Sequence, residues 1–144
     1  MNIFSTLSPP DAEPRRRGPL RVLLVYPNTW EVALANLGFQ RVHEILSNIY
    51  GVECDLLALP EGWTPGNPDV RTKEMRSRFS GLNPIDFDMI AFSISFEPDY
   101  LNAVSQLHYF GLPLERKFRD DSHPLILAGG SAIFINPEPL ADFV

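Results

Sequence analysis

The sequence predicts a three-layer α/β/α sandwich built on a compact parallel sheet. Three observations lead there: apolar runs of strand length without polar alternation, amphipathic helical segments between them, and no tight hairpin signal joining one run to the next. With 144 residues the chain has the size of one domain. Its 44% hydrophobic and 21% charged residues supply enough apolar surface to offset the entropy of ordering the backbone.

Arg21 to Tyr26 reads RVLLVY, four aliphatics in a row before Pro27, and suits a strand buried on both faces. Asn28 and Glu31 stand three apart and can satisfy orphan amides at a helix start. Ala35, Gly38, Phe39, Val42, Ile45, Leu46 and Ile49 then recur at helical spacing, which predicts one helix from Glu31 to Tyr50, stopped by Gly51. Val52 to Leu59 is the second strand, with Cys54 as a small core residue. PEGWTPGNP, Pro60 to Pro68, enforces an irregular loop around Trp63, after which Asp69 can cap a short polar helix through Arg78. Met89 to Ser95 forms the third strand. Pro98 and Asp99 introduce a helix that lays Leu101, Val104, Leu107 and Tyr109 or Phe110 on the sheet until Gly111 and Pro113 end it. LERKFRDDSH is a surface loop, and Leu125 to Ala128 is a short fourth strand that breaks at Gly129 and Gly130. The first and third strands have the most complete apolar runs and should be central. A helix barely begins near Pro137, where a sheet of this class usually receives another strand. The expectation is therefore a Rossmann-like or flavodoxin-like sheet truncated before its last strand, in a fragment of a longer polypeptide.

Eighteen acidic against twelve basic residues give a net charge of −6, which repels a phosphate backbone and disfavours nucleic acid as a partner. The dense basic run Arg15, Arg16 and Arg17 lies among prolines in residues 1–19, read as a flexible N-terminal arm; residues 20–144 form the domain. One cysteine permits no intrachain disulfide and no cysteine-bound metal cluster, and a reducing cytoplasm is the simplest compartment. No apolar run approaches the roughly 20 residues of a membrane span.

In an open parallel sheet, ligands bind beyond the carboxyl ends of the strands, where loops leave backbone amides free. Four segments should meet there: Pro27 to Glu31, Leu59 to Trp63, Ser95 to Tyr100 and Gly129 to Asn136. Gly129, Gly130 and Ser131 offer two residues without a β-carbon, serving either close approach of a bulky group or simply a tight turn. Glu97 and Glu138 are carboxylates that either accept hydrogen bonds from a ligand or favour a helix start. Asn28 suits a helix cap or a ligand contact, and Trp30 and Trp63 either stack on a flat group or cap the core. No GxGxxG, no GxxxxGK and no paired-histidine motif occurs. A receiver domain would want an acidic pair after the first strand, and a flavin site a Ser/Thr/Gly-rich loop there. The chain has PNTWE.

VYPNTWEVALANLGFQ at Val25 to Gln40, DFDMIAFSISFEPDYLN at Asp86 to Asn102, GLPLERKFRD at Gly111 to Asp120 and PLILAGGSAIFINPEPLADF at Pro124 to Phe143 resemble the amino-terminal cobalamin-binding-like domain of a family of radical S-adenosylmethionine proteins. The resemblance implies a flavodoxin-like module, not catalytic alone. It also implies a partner, a downstream barrel of the same polypeptide that holds a four-iron, four-sulfur cluster and cleaves S-adenosylmethionine. The parent is then a radical S-adenosylmethionine enzyme, and cluster and S-adenosylmethionine belong to that remainder. Cobalamin is the implied cofactor here. The DxHxxG motif that supplies a lower axial histidine in better-known corrinoid domains is absent from PNTWEVALANLG, so binding without a histidine ligand is expected. Cofactor-binding residues are then Asn28, Thr29, Trp30, Glu97, Gly129, Gly130, Ser131, Asn136 and Glu138, with no catalytic residue and no metal ligand. The competing expectation is a structural or regulatory flavodoxin-like domain that binds nothing and positions a partner domain. Self-association of the free fragment through uncovered apolar surface is a further expectation.

Overall fold

The computed structural model describes residues 18–63 and 75–144. Four strands, β1 (Leu20–Thr29), β2 (Val52–Leu59), β3 (Met89–Ser93) and β4 (Leu125–Gly129), form one sheet in the order β2-β1-β3-β4, with every adjacent pair parallel. The two strands with the fullest apolar runs are central, and β1 is buried on both faces from Val22 to Tyr26, whereas β3 is buried on alternate residues. The β1–β2 register shifts between Tyr26 and Thr29. Pro27 has no amide to donate to the ladder, and the extra residues bulge out before Thr29 pairs again with Leu59.

One face of the sheet carries Leu23, Val25, Leu57, Leu59, Ile90, Phe92, Ile94 and Ile126, in a single core with Tyr100, Ala103 and Leu107 of α3 (Asp99–Tyr109). Ala132 of α4 (Ser131–Ile135) and Leu140 join the same cluster. On the other face Leu24, Tyr26, Leu56 and Ala58 pack under Ala33 of α1 (Trp30–Ala35) and Phe39 of α2 (Leu37–Ser47). Together with the sheet these helices form the three layers. Each large side chain so buried contributes about 1.5–3 kcal/mol of transfer free energy.

Several local expectations are corrected. The segment expected as one helix from Glu31 to Tyr50 is two helices broken at Asn36, whose backbone is extended and whose Oδ1 accepts from Phe39 N at 2.9 Å, capping α2. An asparagine that can satisfy an orphan amide gains as much by starting a helix as by continuing one. Asn28 caps no helix: its Oδ1 accepts from Thr29 N, and the N-cap of α1 is Thr29, without a side-chain cap. Of the apolar stripe proposed for this region Phe39 is buried, whereas Val42, Ile45 and Ile49 are exposed. Leu101, expected against the sheet, is 68% exposed; Tyr100 and Ala103 point inward instead. Met75 to Arg78 is not helical, and Asp69, the proposed cap, lies outside the described residues, as does the arm up to residue 17. The segment between Gly129 and Asn136, expected as a connection, contains α4.

The 75–82 segment wraps the β2 edge. Arg78 N donates to Leu56 O at 2.8 Å, while Met75 and Leu82 pack on the α3 side of the sheet. Asp55, 6% exposed, holds it there: Oδ1 accepts from Leu56 N and Phe79 N, and Oδ2 from the amide and hydroxyl of Ser80. Burial alone would raise the Asp55 pKa, but the Ser80 hydroxyl and the three amides outweigh it and hold the carboxyl below its usual value.

Candidate functional site

Because all four strands run the same way, their last residues share one edge of the sheet, and the four loops named from sequence are brought to it. The connections there are polar. Asn28 Nδ2 donates to Asp99 Oδ1 at 2.9 Å, tying the end of β1 to the first residue of α3. Asn102 Nδ2 donates to Pro27 O at 3.0 Å and to Asp99 Oδ1 at 3.3 Å, and the Trp63 indole donates to Asn102 Oδ1 at 3.2 Å. Toward the opposite face, Asn36 Nδ2 donates to Tyr26 Oη and to Ser95 Oγ, at 3.3 and 3.0 Å. Ser131 Oγ donates to Ser95 O at 3.1 Å. Tyr100 Oη donates to Asn136 O at 2.7 Å, and Asn136 Oδ1 accepts from Glu138 N.

The two glycines after β4 differ. Gly130 has φ 114°, and a β-carbon there would lie 2.3 Å from Ile94 O, so the close approach it permits is made by the protein's own backbone. Ile94 N donates to Gly129 O and Ile94 O accepts from Ala132 N, which locks β3 to the start of α4. At Gly129 a β-carbon would meet nothing within 4 Å, and this position faces open space. Glu97 and Glu138 are exposed at the same edge, and the Glu138 carboxylate stands in the first turn of the 3-10 segment Glu138–Leu140. Thr29 closes β1. The two tryptophans separate: the Arg78 guanidinium lies 4.6 Å over the Trp30 ring, on the α1 side of the sheet, while Trp63 packs edge-on against Tyr109 of α3.

Asp99 is 2% exposed, and its Oδ2 has no hydrogen-bond partner. Burial raises its pKa, opposed in part by the amides of Asn28 and Asn102. Leaving such an acceptor unpaired costs about 1–3 kcal/mol, the kind of penalty a fold retains where a group is kept for a ligand or water. The sequence places Ser95 and Asp99 in one of the four edge loops, with Asp99 as a helix start, but marks no role for the side chains of Asn36 and Asn102. An asparagine interrupting an apolar stripe was the available signal for Asn36; nothing local marks Asn102.

No histidine stands at this edge. His43 lies in α2 and stacks on Phe79 at 6.0 Å, His108 is near the far end of α3, and His123 pairs with Asp120 at 2.9 Å at the start of β4. A cleft of about 1210 Å³ opens at that opposite, amino edge beside Arg21, Arg119 and His123. Two of its arginines are engaged: Arg119 donates to the carbonyls of Pro113, Leu114 and Phe143, and Arg21 lies 3.7 Å from Glu53.

The family model for radical SAM proteins, N-terminal, matches residues 38–144. The chain belongs to this family. No curated protein and no solved structure gives a significant match. In this N-terminal domain of the radical SAM proteins the donor set does not suit an iron–sulfur cluster: there is one cysteine in the sequence, and among the described residues no group of three or more His, Cys, Asp or Glu side chains could hold a metal ion. Burial and the neighbouring Asp55 push the Cys54 thiol up to about 11, so it stays protonated and unreactive at neutral pH. Among the described residues no helix is long and apolar enough to cross a membrane.

Proposed function

We propose that this N-terminal domain of the radical SAM family is a corrinoid-binding module, in which cobalamin lies along the carboxyl edge of the sheet without a histidine axial ligand. The observation that carries the reading is the edge itself, which gathers polar side chains from the ends of β1, β3 and β4 and where a β-carbon on Gly129 would meet only open space. The residues fit such a group in part. Gly129 leaves room for a bulky tail, Asn28, Thr29, Ser131, Asn136 and Glu138 supply polar contacts, and Trp30 and Glu97 stand at the same edge. Gly130 acts by shaping the turn rather than by touching the ligand. Cobalamin would supply a redox-active cobalt; the chain's part is to hold and orient it for the barrel of the same polypeptide, where the cluster and S-adenosylmethionine would reside. Residues of this module perform no catalysis alone.

A second reading, a domain that binds nothing and positions its partner, is favoured by the way Ile94 already fills the approach to Gly130. Titration with hydroxocobalamin, followed by visible absorption and calorimetry, separates the two. Corrinoid binding predicts saturable, modest affinity that Gly129→Trp abolishes, with a spectrum free of histidine coordination. Absence of saturation selects the positioning role, and histidine coordination lost on replacing His43, His108 or His123 overturns the ligand assignment.

A further inference from the structure

Asp55 and Asp99 are the buried carboxylates among the described residues, and they are treated in opposite ways. Both Asp55 oxygens are saturated by protein donors. Asp99 Oδ1 is saturated by Asn28 and Asn102, and its Oδ2 accepts from nothing. Hydrogen bonding alone would have let the Asn102 amide turn toward Oδ2, yet its two N–H groups are spent on Pro27 O and Asp99 Oδ1, and Trp63 holds its carbonyl. The site is thus braced in a form that keeps one acceptor vacant.

The position matters as much as the vacancy. Asp99 opens α3 at the carboxyl edge of the sheet; Oδ2 itself is buried, while Asn28, Asn102 and Trp63 nearby are only half-buried, so a donor reaches Oδ2 where one of these side chains gives way. A metal ion is a poor candidate, because one carboxylate among carboxamide nitrogens offers too few oxygen ligands. An N–H donor fits: it needs a single, directed acceptor, and the partners already present are neutral amides.

We propose that Asp99 Oδ2 is a recognition acceptor for a carboxamide N–H carried by the ligand, so that Asp99, braced by Asn28 and Asn102, selects an amide-bearing corrinoid over one without amide donors. This inference rests on the corrinoid reading and names the contact that gives it specificity. Asp99 is a binding residue in it and Asn102 a positioning residue, while Asn28 braces Asp99 in addition to its own place along the ligand edge.

The test uses the full chain and two probes, dicyanocobinamide with its peripheral carboxamides and a dicyano-corrinoid whose peripheral amides are methyl esters. Native protein should bind the amide probe at least about tenfold more tightly than the ester probe. Asp99→Asn retains an oxygen for Asn28 and Asn102 but places an N–H where the ligand donor should approach. It should weaken the amide probe about tenfold or more while thermal unfolding stays at or above the native temperature. Ester-probe affinity should change little, a selective effect that a merely structural role would not produce. Equal affinity of the native chain for both probes, or undiminished binding of the amide probe by Asp99→Asn, overturns the role of Asp99 and leaves the corrinoid reading standing. No saturable binding of either probe overturns the corrinoid reading and this assignment with it.

Discussion

The two faces of the sheet are built from the same kind of residue and meet different fates. Under α3, α4 and the turn at Leu140, the face carrying Leu23, Phe92 and Ile126 is closed from β2 to β4. Under α1 and α2, the other face is closed only over β1 and β2. Where the register carries Leu24 across to Ala91 and on to Leu127, cover runs out: Ala91 is half-buried, and Leu125 and Leu127 are 56% and 43% exposed. An apolar alternation says that a face is meant to be dry, but only the path of the helices decides whether this chain dries it. The closed face therefore carries most of the stability, and the open half-face is where association with other apolar surface is available.

The sharpest way to break that contrast is to empty one position on the closed face. Phe92→Ala should lower unfolding free energy by about 3–5 kcal/mol in a urea titration, since a buried aromatic leaves a cavity that its neighbours refill only partly. Leu127→Ala, its counterpart on the open half-face, should cost less than about 1 kcal/mol; equal losses would mean the two faces do not differ. Next in size is Gly130→Ala, which forces a β-carbon into Ile94 O at a backbone conformation that L residues rarely adopt, at about 3 kcal/mol. Gly129→Ala, in open space, should stay within about 1 kcal/mol. A Gly130→Ala protein as stable as native would show that the β3–α4 corner adds nothing to the closed face.

Asp55→Asn should cost about 2 kcal/mol at neutral pH, because the amides of Phe79 and Ser80 lose their charged acceptor. The sign of its pH dependence follows from the lowered pKa of the native carboxyl. Its contribution is fully present above the ordinary aspartate value of about 3.9 and is lost as pH falls through the lower folded value. The stability gap between native protein and variant should close on acidification; a gap constant from neutral pH to the acid limb would assign the 75–82 wrap to packing alone. The smallest effect is expected for Leu127→Lys, which should move stability by no more than about 0.5 kcal/mol yet reduce concentration-dependent light scattering. Unchanged scattering would place any self-association elsewhere, for instance on the exposed Val42 and Ile45 of α2.

The four strands, their parallel arrangement and the central places of β1 and β3 were legible in the sequence, because buried parallel strands announce themselves as continuous apolar runs and long connections forbid hairpins. Legible too were the loops that gather at the carboxyl edge, since strand direction alone puts them there. The helix break at Asn36 was not read from the apolar spacing, which continued through it; the cap on Phe39 N, together with Tyr26 Oη and Ser95 Oγ within reach, makes this asparagine a joint rather than a helical residue. Trp30 and Trp63 looked alike as loop aromatics, and tertiary structure sent them to opposite faces. Gly130 suited either the approach of a bulky group or a tight turn, and the fold sets it in a turn against Ile94. The sequence by itself determined which segments are strands and where their ends point, through local patterning of apolar residues. Which face is covered, which carboxylate is saturated and which is left with an open oxygen are properties of groups far apart in the chain, such as Asn28 with Asp99 and Asp55 with Ser80, and only the packed fold decides them, because a hydrogen bond is settled by distance and direction in space.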